Sequence, residues 1–354
     1  MKKHRMTWLI LVLALALVAA ACGDTADEET TTTAASGETT TTAASGETTT
    51  TGAAAEAFRI AIVAPSAQND LAFTQSIVDA VNVIKGEMGL ADSDIQITDG
   101  TFVVEDAASA IRAYAADGVD LVIAHGSQYG GSLQEIAPDF PDTSFAWGTA
   151  ADTFGLDNVF SYEAASDEGG YVMGVMAAAL SESGTIGIVG PVEVGDAKLY
   201  VDGFKAGVLA QDPGANVLVN YTDSFSDVAL ASEAAQAFAA NGADVMSGTA
   251  QMVVGAVTVA SDTDILWFGT QANQTSLAPS IVVASQVYHW EVVLRDIVSK
   301  IQAGTLGGEI YVIDLANGGE VIEYNDAFAL PADVRQLGDD TAAGIIDGSI
   351  TTGG

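Results

Sequence analysis

Phe58-Arg-Ile-Ala-Ile-Val-Ala64-Pro65, with the loop and apolar stripe that follow it as far as Met88, decides how the rest of the chain is read. From Ile60 to Ala64 the run is apolar without alternation and is stopped by a proline. That pattern predicts a strand buried on both faces, as in the middle of a parallel sheet. Between Leu71 and Met88, Ile77, Val78, Val81, Ile84 and Met88 recur at spacings of three and four, which predicts a helix with one apolar stripe laid on that sheet, closed by Gly89.

The same alternation continues outward. Strands are expected at 95–98, 120–124 and 143–147 and helices at 105–116 and 131–137, and then a second series begins with a helix near 164–180. Strands at 185–189, 216–221, 243–246, 265–268 and 281–284, and helices at 197–210, 228–240, 253–260 and 288–303, complete it. Two successive α/β sets predict two Rossmann-like lobes joined by a hinge, the type I periplasmic-binding-protein fold, with a ligand cleft between the lobes at the carboxyl ends of the strands. The expected boundaries are an N-terminal lobe at 57–162, a C-terminal lobe at 163–284, a return to the first lobe at 285–330 and a tail at 331–354.

Ahead of the first strand, residues 1–22 carry Lys2, Lys3, His4 and Arg5, then an uncharged apolar run from Trp8 to Ala20 that is short for a membrane span. Val18-Ala-Ala-Ala-Cys22-Gly23 resembles a bacterial lipobox, so Cys22 is expected to be lipidated and to become the first residue, tying the protein to the membrane by a lipid anchor alone. An ordinary thiol beside a plain cleavage site is the competing reading, and as the only cysteine it has no disulfide partner within the chain. Residues 23–56 contain Thr-Thr-Thr-Thr-Ala-Ala-Ser-Gly-Glu at 30–38 and again at 39–47. Without large apolar side chains this segment cannot offset its ordering entropy and is expected to be a disordered, Thr-rich tether.

Forty-seven acidic against 11 basic residues leave a formal net charge of −36, which excludes a nucleic-acid surface, where phosphates must be met by Lys and Arg. Catalytic readings also fail. The three histidines, His4, His125 and His289, are far apart along the chain and suggest no metal centre. His125-Gly-Ser-Gln-Tyr-Gly130 lacks the glycine spacing of a nucleophile elbow, and no phosphate-cradling glycine loop follows the first strand. No enzyme activity, cofactor or metal is expected.

Gln68-Asn69-Asp70-Leu71-Ala72-Phe73-Thr74-Gln75 resembles the opening motif of the basic membrane protein family of substrate-binding lipoproteins. Further matches follow in order: Glu135 to Asp142, Glu168-Gly-Gly-Tyr171, Gly184 to Gly190, Gly203-Phe204-Lys-Ala-Gly207, Tyr221 to Asp227, Asn241 to Val245 and Leu277-Ala-Pro279. Together they cover about Phe58 to Tyr324. The resemblance implies a monomeric extracytoplasmic receptor for an ABC importer, with a permease as partner and a purine nucleoside or base held between the lobes.

On that reading Phe73 and Phe225, one from each lobe, sandwich a planar ligand, stacking being worth about 1–3 kcal/mol per base. Core packing is the alternative for both. Asn69 and Asp70 offer hydrogen bonds to ribose or base, with helix capping as the competing task of Asp70. Thr74 belongs to the same motif, and Tyr129, Glu193, Gln251, Gln271 and Trp290 complete the candidate ligand-binding set, Trp290 being open to a hinge-packing reading as well. Two departures stand out. After the strand at 265–268 this chain has Gly269-Thr-Gln-Ala-Asn-Gln274 where nucleoside-binding members resemble Gly-Val-Asp, and Tyr288 stands where they carry lysine. Neutral amides and rings in those places favour a neutral heterocycle. Other readings are a sensory lipoprotein receptor without transport, a binder of a sugar-like solute, and a nucleoside hydrolase, which would need an acidic metal cluster.

Overall fold

The computed structural model describes residues 57–353. The signal-like segment, Cys22 and the Thr-rich tether lie outside the described residues. In chain order the first lobe has β1 (Ile60–Val63), α1 (Phe73–Met88), β2 (Ile95–Thr98), α2 (Val104–Ala116), β3 (Leu121–His125), α3 (Gly130–Ile136), β4 (Ser144–Gly148) and β5 (Val159–Ala164). The second has α4 (Ser166–Leu180), β6 (Thr185–Gly190), α5 (Gly195–Gln211), β7 (Asn216–Tyr221), α6 (Val228–Ala240), β8 (Val245–Gly248), α7 (Val253–Asp262), β9 (Leu266–Gln271) and β10 (Val282–Tyr288). The chain ends with α8 (Glu291–Gln302), β11 (Ile310–Ile313), β12 (Glu320–Tyr324) and α9 (Ala332–Ile346).

Two six-stranded sheets result, ordered β2-β1-β3-β4-β5-β11 and β7-β6-β8-β9-β10-β12. Every neighbouring pair is parallel except β10 with β12. The two-lobed α/β fold expected from the sequence is therefore the fold observed. In each sheet the second strand in the chain lies outside the first while the third lies inside it, so each sheet has one point where the winding reverses and the loops leave a crevice. Central strands such as β1, β3 and β4 are buried along their whole length, which explains their unbroken apolar runs.

The lobes are joined by three crossings, after β5, after β10 and between β11 and β12. The expected return of 285–330 to the first lobe needs correction. Only α8 and β11 return. Residues 285–288 continue β10, and β12 pairs antiparallel with it in the second sheet. Ser285 and Gln286 read as polar loop residues in the sequence, but both are fully buried and used. Ser285 Oγ accepts from the Gln274 backbone N–H at 3.1 Å, and the Gln286 amide donates to Glu320 and to the Ser166 carbonyl. The tail at 331–354 carries α9, which packs on α4 and buries Val334.

Helices α4 and α5 approach so closely that glycines line the crossing. A Cβ at Gly174 or Gly207 would run into the backbone carbonyls of Phe204 and Tyr171. Gly174→Leu is expected to lower stability by about 1–3 kcal/mol through overpacking, read as a lower denaturant midpoint. Glu320 is fully buried; its Oε1 accepts from the Gly169 N–H at 2.9 Å and from Gln286, and its Oε2 has no partner. Burial without a cation pushes its carboxyl well above the usual carboxylate range, so the fold holds it neutral. Because the folded value is the higher one, its contribution is complete below about pH 4.5 and is lost as pH rises. Glu320→Gln is expected to be at least as stable as wild type at neutral pH and to flatten the fall of melting temperature toward alkaline pH.

Candidate functional site

The loop from β1 to α1 is shaped by one carboxylate. Asp70 accepts from the backbone N–H groups of Ala72 at 2.9 Å, Thr74 at 3.1 Å and Gln75 at 3.0 Å, and from Ser66 Oγ at 2.5 Å. These are the free N–H groups of the first turn of α1, so the side chain is consumed in capping. The cap fixes Phe73, the first residue of the helix, whose ring stacks on His125 with centroids 4.0 Å apart and planes at 22°. His125 is fully buried; its Nδ1 lies 2.7 Å from Tyr162 Oη and its Nε2 3.2 Å from the Phe73 carbonyl. Desolvation lowers its pKa to about 3, so Nε2–H donates to the carbonyl, Nδ1 accepts from the tyrosine, and the ring under Phe73 is neutral.

On the other lobe Phe225 lies between β7 and α6, where Asp227 caps α6 by accepting from Ala229 and Leu230. The Met252 N–H donates to the Phe225 carbonyl at 3.1 Å, which ties this loop to the turn after β8. Phe73 and Phe225 line one cavity between the lobes. Its first-lobe wall is completed by Pro65, Phe102, Ser127, Gln128 and Thr149, and its second-lobe wall by Val194, Asp196, Ala197, Ala250, Gln251 and Gln271. Most of these residues sit at or just beyond the carboxyl end of a strand, where a crevice at the reversal of winding is expected. Ala250 and Gln271 have φ of 75° and 71°, a strained region for side-chain-bearing residues that turns the chain sharply at the cavity wall.

The wall contains no Lys, Arg or His. It does contain three buried acceptors without partners, Asp196 Oδ2, Gln251 Oε1 and Gln271 Oε1. Burial raises the Asp196 carboxyl to about 6, countered in part by Thr149, whose hydroxyl donates to Oδ1 across the cleft at 3.2 Å.

Of the residues singled out from the sequence, Phe73, Phe225, Gln251 and Gln271 meet in the cavity. The others stand elsewhere. Asn69 is exposed outside the wall, Asp70 caps α1, and Thr74 is buried with its hydroxyl 2.7 Å from Ser66 Oγ. Tyr129 is buried and donates to the Thr101 carbonyl at 2.8 Å, and Glu193 is exposed while its neighbour Val194 forms the wall. Trp290 is fully buried, donates to Ser76 Oγ at 2.9 Å and packs on Tyr162 and Tyr288, the hinge-packing alternative. Asp196, Thr149 and Phe102 carry no motif that marks them. The signal for Asp196 was its place at the start of a helix after β6, where an acidic residue reads as a dipole partner.

Two α/β lobes, crossed three times and sharing a lined cleft, define a solute-binding protein of the two-lobed kind. This chain belongs to the family of PnrA-like ABC transporter substrate-binding proteins, whose sequence model matches residues 57–339. It is 27% identical over 245 residues to a purine-binding protein of Brucella abortus, covering 69% of each chain. Similarity at 27% over 256 residues extends to the transcriptional activator protein med of Bacillus subtilis, covering 70% of this chain and 79% of that one. An ABC transporter solute-binding protein from Conexibacter woesei superposes with a TM-score of 0.69 at 26% identity, covering 83% of this chain and 98% of the other. The family is one of solute binders rather than enzymes, and its members serve importers from outside the cytoplasm. No described helix is long and apolar enough to cross a membrane.

Asp70→Ala is expected to cost about 1–3 kcal/mol of stability by leaving first-turn N–H groups unpaired. Because Phe73 is set by that cap, ligand affinity should fall with it, a joint effect that denaturation and calorimetric titration on one variant would reveal.

Proposed function

We propose that this protein is the lipid-anchored receptor of an ABC importer and binds a neutral planar solute, a purine nucleoside or base, by closing its lobes on it. The observation that carries the reading is that Phe73 and Phe225, from opposite lobes, line the same cavity as three unpartnered acceptors. Two ring faces suit a flat heterocycle, and the acceptors suit its N–H and O–H groups. Such a ligand touches both lobes at once, so its binding energy favours the closed arrangement that a permease would engage. The similarity to a purine-binding protein supports the same ligand class. Cys22, in its lipobox-like setting, would supply the anchor and residues 23–56 the reach, with the receptor acting as a monomer.

A second reading, a sensor that passes its closed form to a signalling protein, is favoured by the similarity to a transcriptional activator and uses the same cleft.

Calorimetric titration with inosine, guanosine, adenosine, free purines and sugars tests the ligand class. A purine should bind, and Phe225→Ala should weaken it about 5- to 150-fold, the range that loss of one stacking face implies. Inosine 5′-monophosphate should bind far more weakly than inosine, because the wall has a carboxylate and no cation to meet a phosphate. Binding of sugars alone would defeat the purine assignment. For the anchor, Cys22→Ala should move the protein from the membrane fraction to the soluble extracytoplasmic fraction.

A further inference from the structure

Asp196 is the one carboxylate in the cavity wall, and its environment differs from that of a helix-start aspartate at a surface. It is 7% exposed, yet Oδ2 has no partner. Oδ1 is engaged by Thr149 of the opposite lobe, and the Asp196 carbonyl accepts from Ser166 Oγ at 2.5 Å, at the first crossing between lobes. The ionisable groups facing it are Glu163 on β5 and Tyr288 on β10, neither of them a cation. An unpartnered, buried carboxylate oxygen on a residue that lines a cavity is costly unless something supplies a donor.

We propose that Asp196 is the specificity-determining acceptor of the cleft, its Oδ2 taking a hydrogen-bond donor of a neutral ligand, which in the purine reading is an N–H on the edge of the base. The inference rests on the receptor reading for its choice of ligand. Gln251 and Gln271 stand on the same wall but present an amide, which offers donor or acceptor by rotation. The carboxylate has no such freedom when ionised, so it discriminates. A donor from the ligand favours the ionised form, while a proton on Asp196 competes with it. Ligand, Thr149 and the Ser166 crossing thus converge on one side chain, so filling Oδ2 completes a contact set that spans both lobes.

The test is calorimetric titration of the intact protein and of Asp196→Asn with inosine, guanosine, their 1-methyl derivatives and glucose, between about pH 5 and pH 8. Wild type should bind the parent nucleosides about tenfold or more tightly than the 1-methyl forms, which lack the ring N–H. Its affinity should be level at neutral pH and fall as pH drops through about 6, where the carboxyl takes up a proton. Asp196→Asn should lose both the preference for the parent nucleoside and the pH dependence. The methylated pair measured on wild type needs no variant, so a folding defect in Asp196→Asn leaves the test intact. Purine binding with equal affinity for parent and methylated forms, or discrimination retained in Asp196→Asn, overturns the role of Asp196 and leaves the purine reading standing. Glucose binding in place of any purine, weakened by Asp196→Asn with the same pH dependence, overturns the purine reading and supports the acceptor. Binding of no member of the panel overturns both.

Discussion

Three crossings between two sheets must be held in register without a disulfide, and the buried group around Glu320 is where they meet. Glu320 opens β12 after the third crossing, Gln286 lies in β10 just before the second, and Ser166 and Gly169 open α4 after the first. Glu320 accepts from Gly169 and Gln286, and Gln286 donates to Ser166. A charged carboxylate could not remain there without a counter-ion, whereas a neutral acid can, at the cost of one unpartnered oxygen. The cleft depends on this cluster because Ser166 also donates to the Asp196 carbonyl, which links the crossings to the cavity wall. Lobe movement has to occur around that fixed cluster, since breaking it would leave several buried polar groups unpaired.

Around this joint the first lobe places an aromatic column behind the ligand wall. Tyr162, His125 and Phe73 lie in near-parallel planes, and Trp290 meets both His125 and Tyr162 edge-on. The hydrogen bonds of the neutral imidazole on both sides fix the Phe73 ring from behind, so only its outer face is open to the cavity. Trp290 therefore acts on the site through packing, with the His125 and Phe73 rings between it and the cavity, and Ser76 satisfies its indole N–H.

How much of this was legible in the sequence follows from which forces act locally. Buried parallel strands write themselves as apolar runs, and amphipathic helices as three-and-four spacings, so the two lobes and most elements could be read directly. The strand β5, Val159-Phe-Ser-Tyr-Glu-Ala164, was hidden because Ser161 and Glu163 interrupt its apolar run, and β10 was cut short because Ser285 and Gln286 look like loop residues until their partners are known. Phe73 and Phe225 could be found because each stands in a loop after a strand within a motif. Asp70 was misdirected toward ligand because a cap and a ligand contact demand the same residue type at the same place. Trp290, Tyr129 and Thr74 face inward, a matter of tertiary packing that no spacing encodes.

Asp196 was passed over for a different reason, since an acidic residue at a helix start reads as a dipole partner, and it bears on what the cleft can accept. The sequence reading found no carboxylate after β9 and offered Asp70 and Glu193 instead, neither of which lines the cavity. The fold brings the ends of several strands to one cavity, so a carboxylate can be supplied from the start of α5, after β6, instead of from β9. What changes is the direction from which it points and its partner, since Asp196 is bonded to Thr149 of the opposite lobe while the β9 loop contributes only Gln271. A cavity wall with one carboxylate, three amides and no cation repels anions at short range, in keeping with the formal net charge of −36 for the whole chain. On the proposed reading, the solute suited to such a wall carries its own donors and no negative charge.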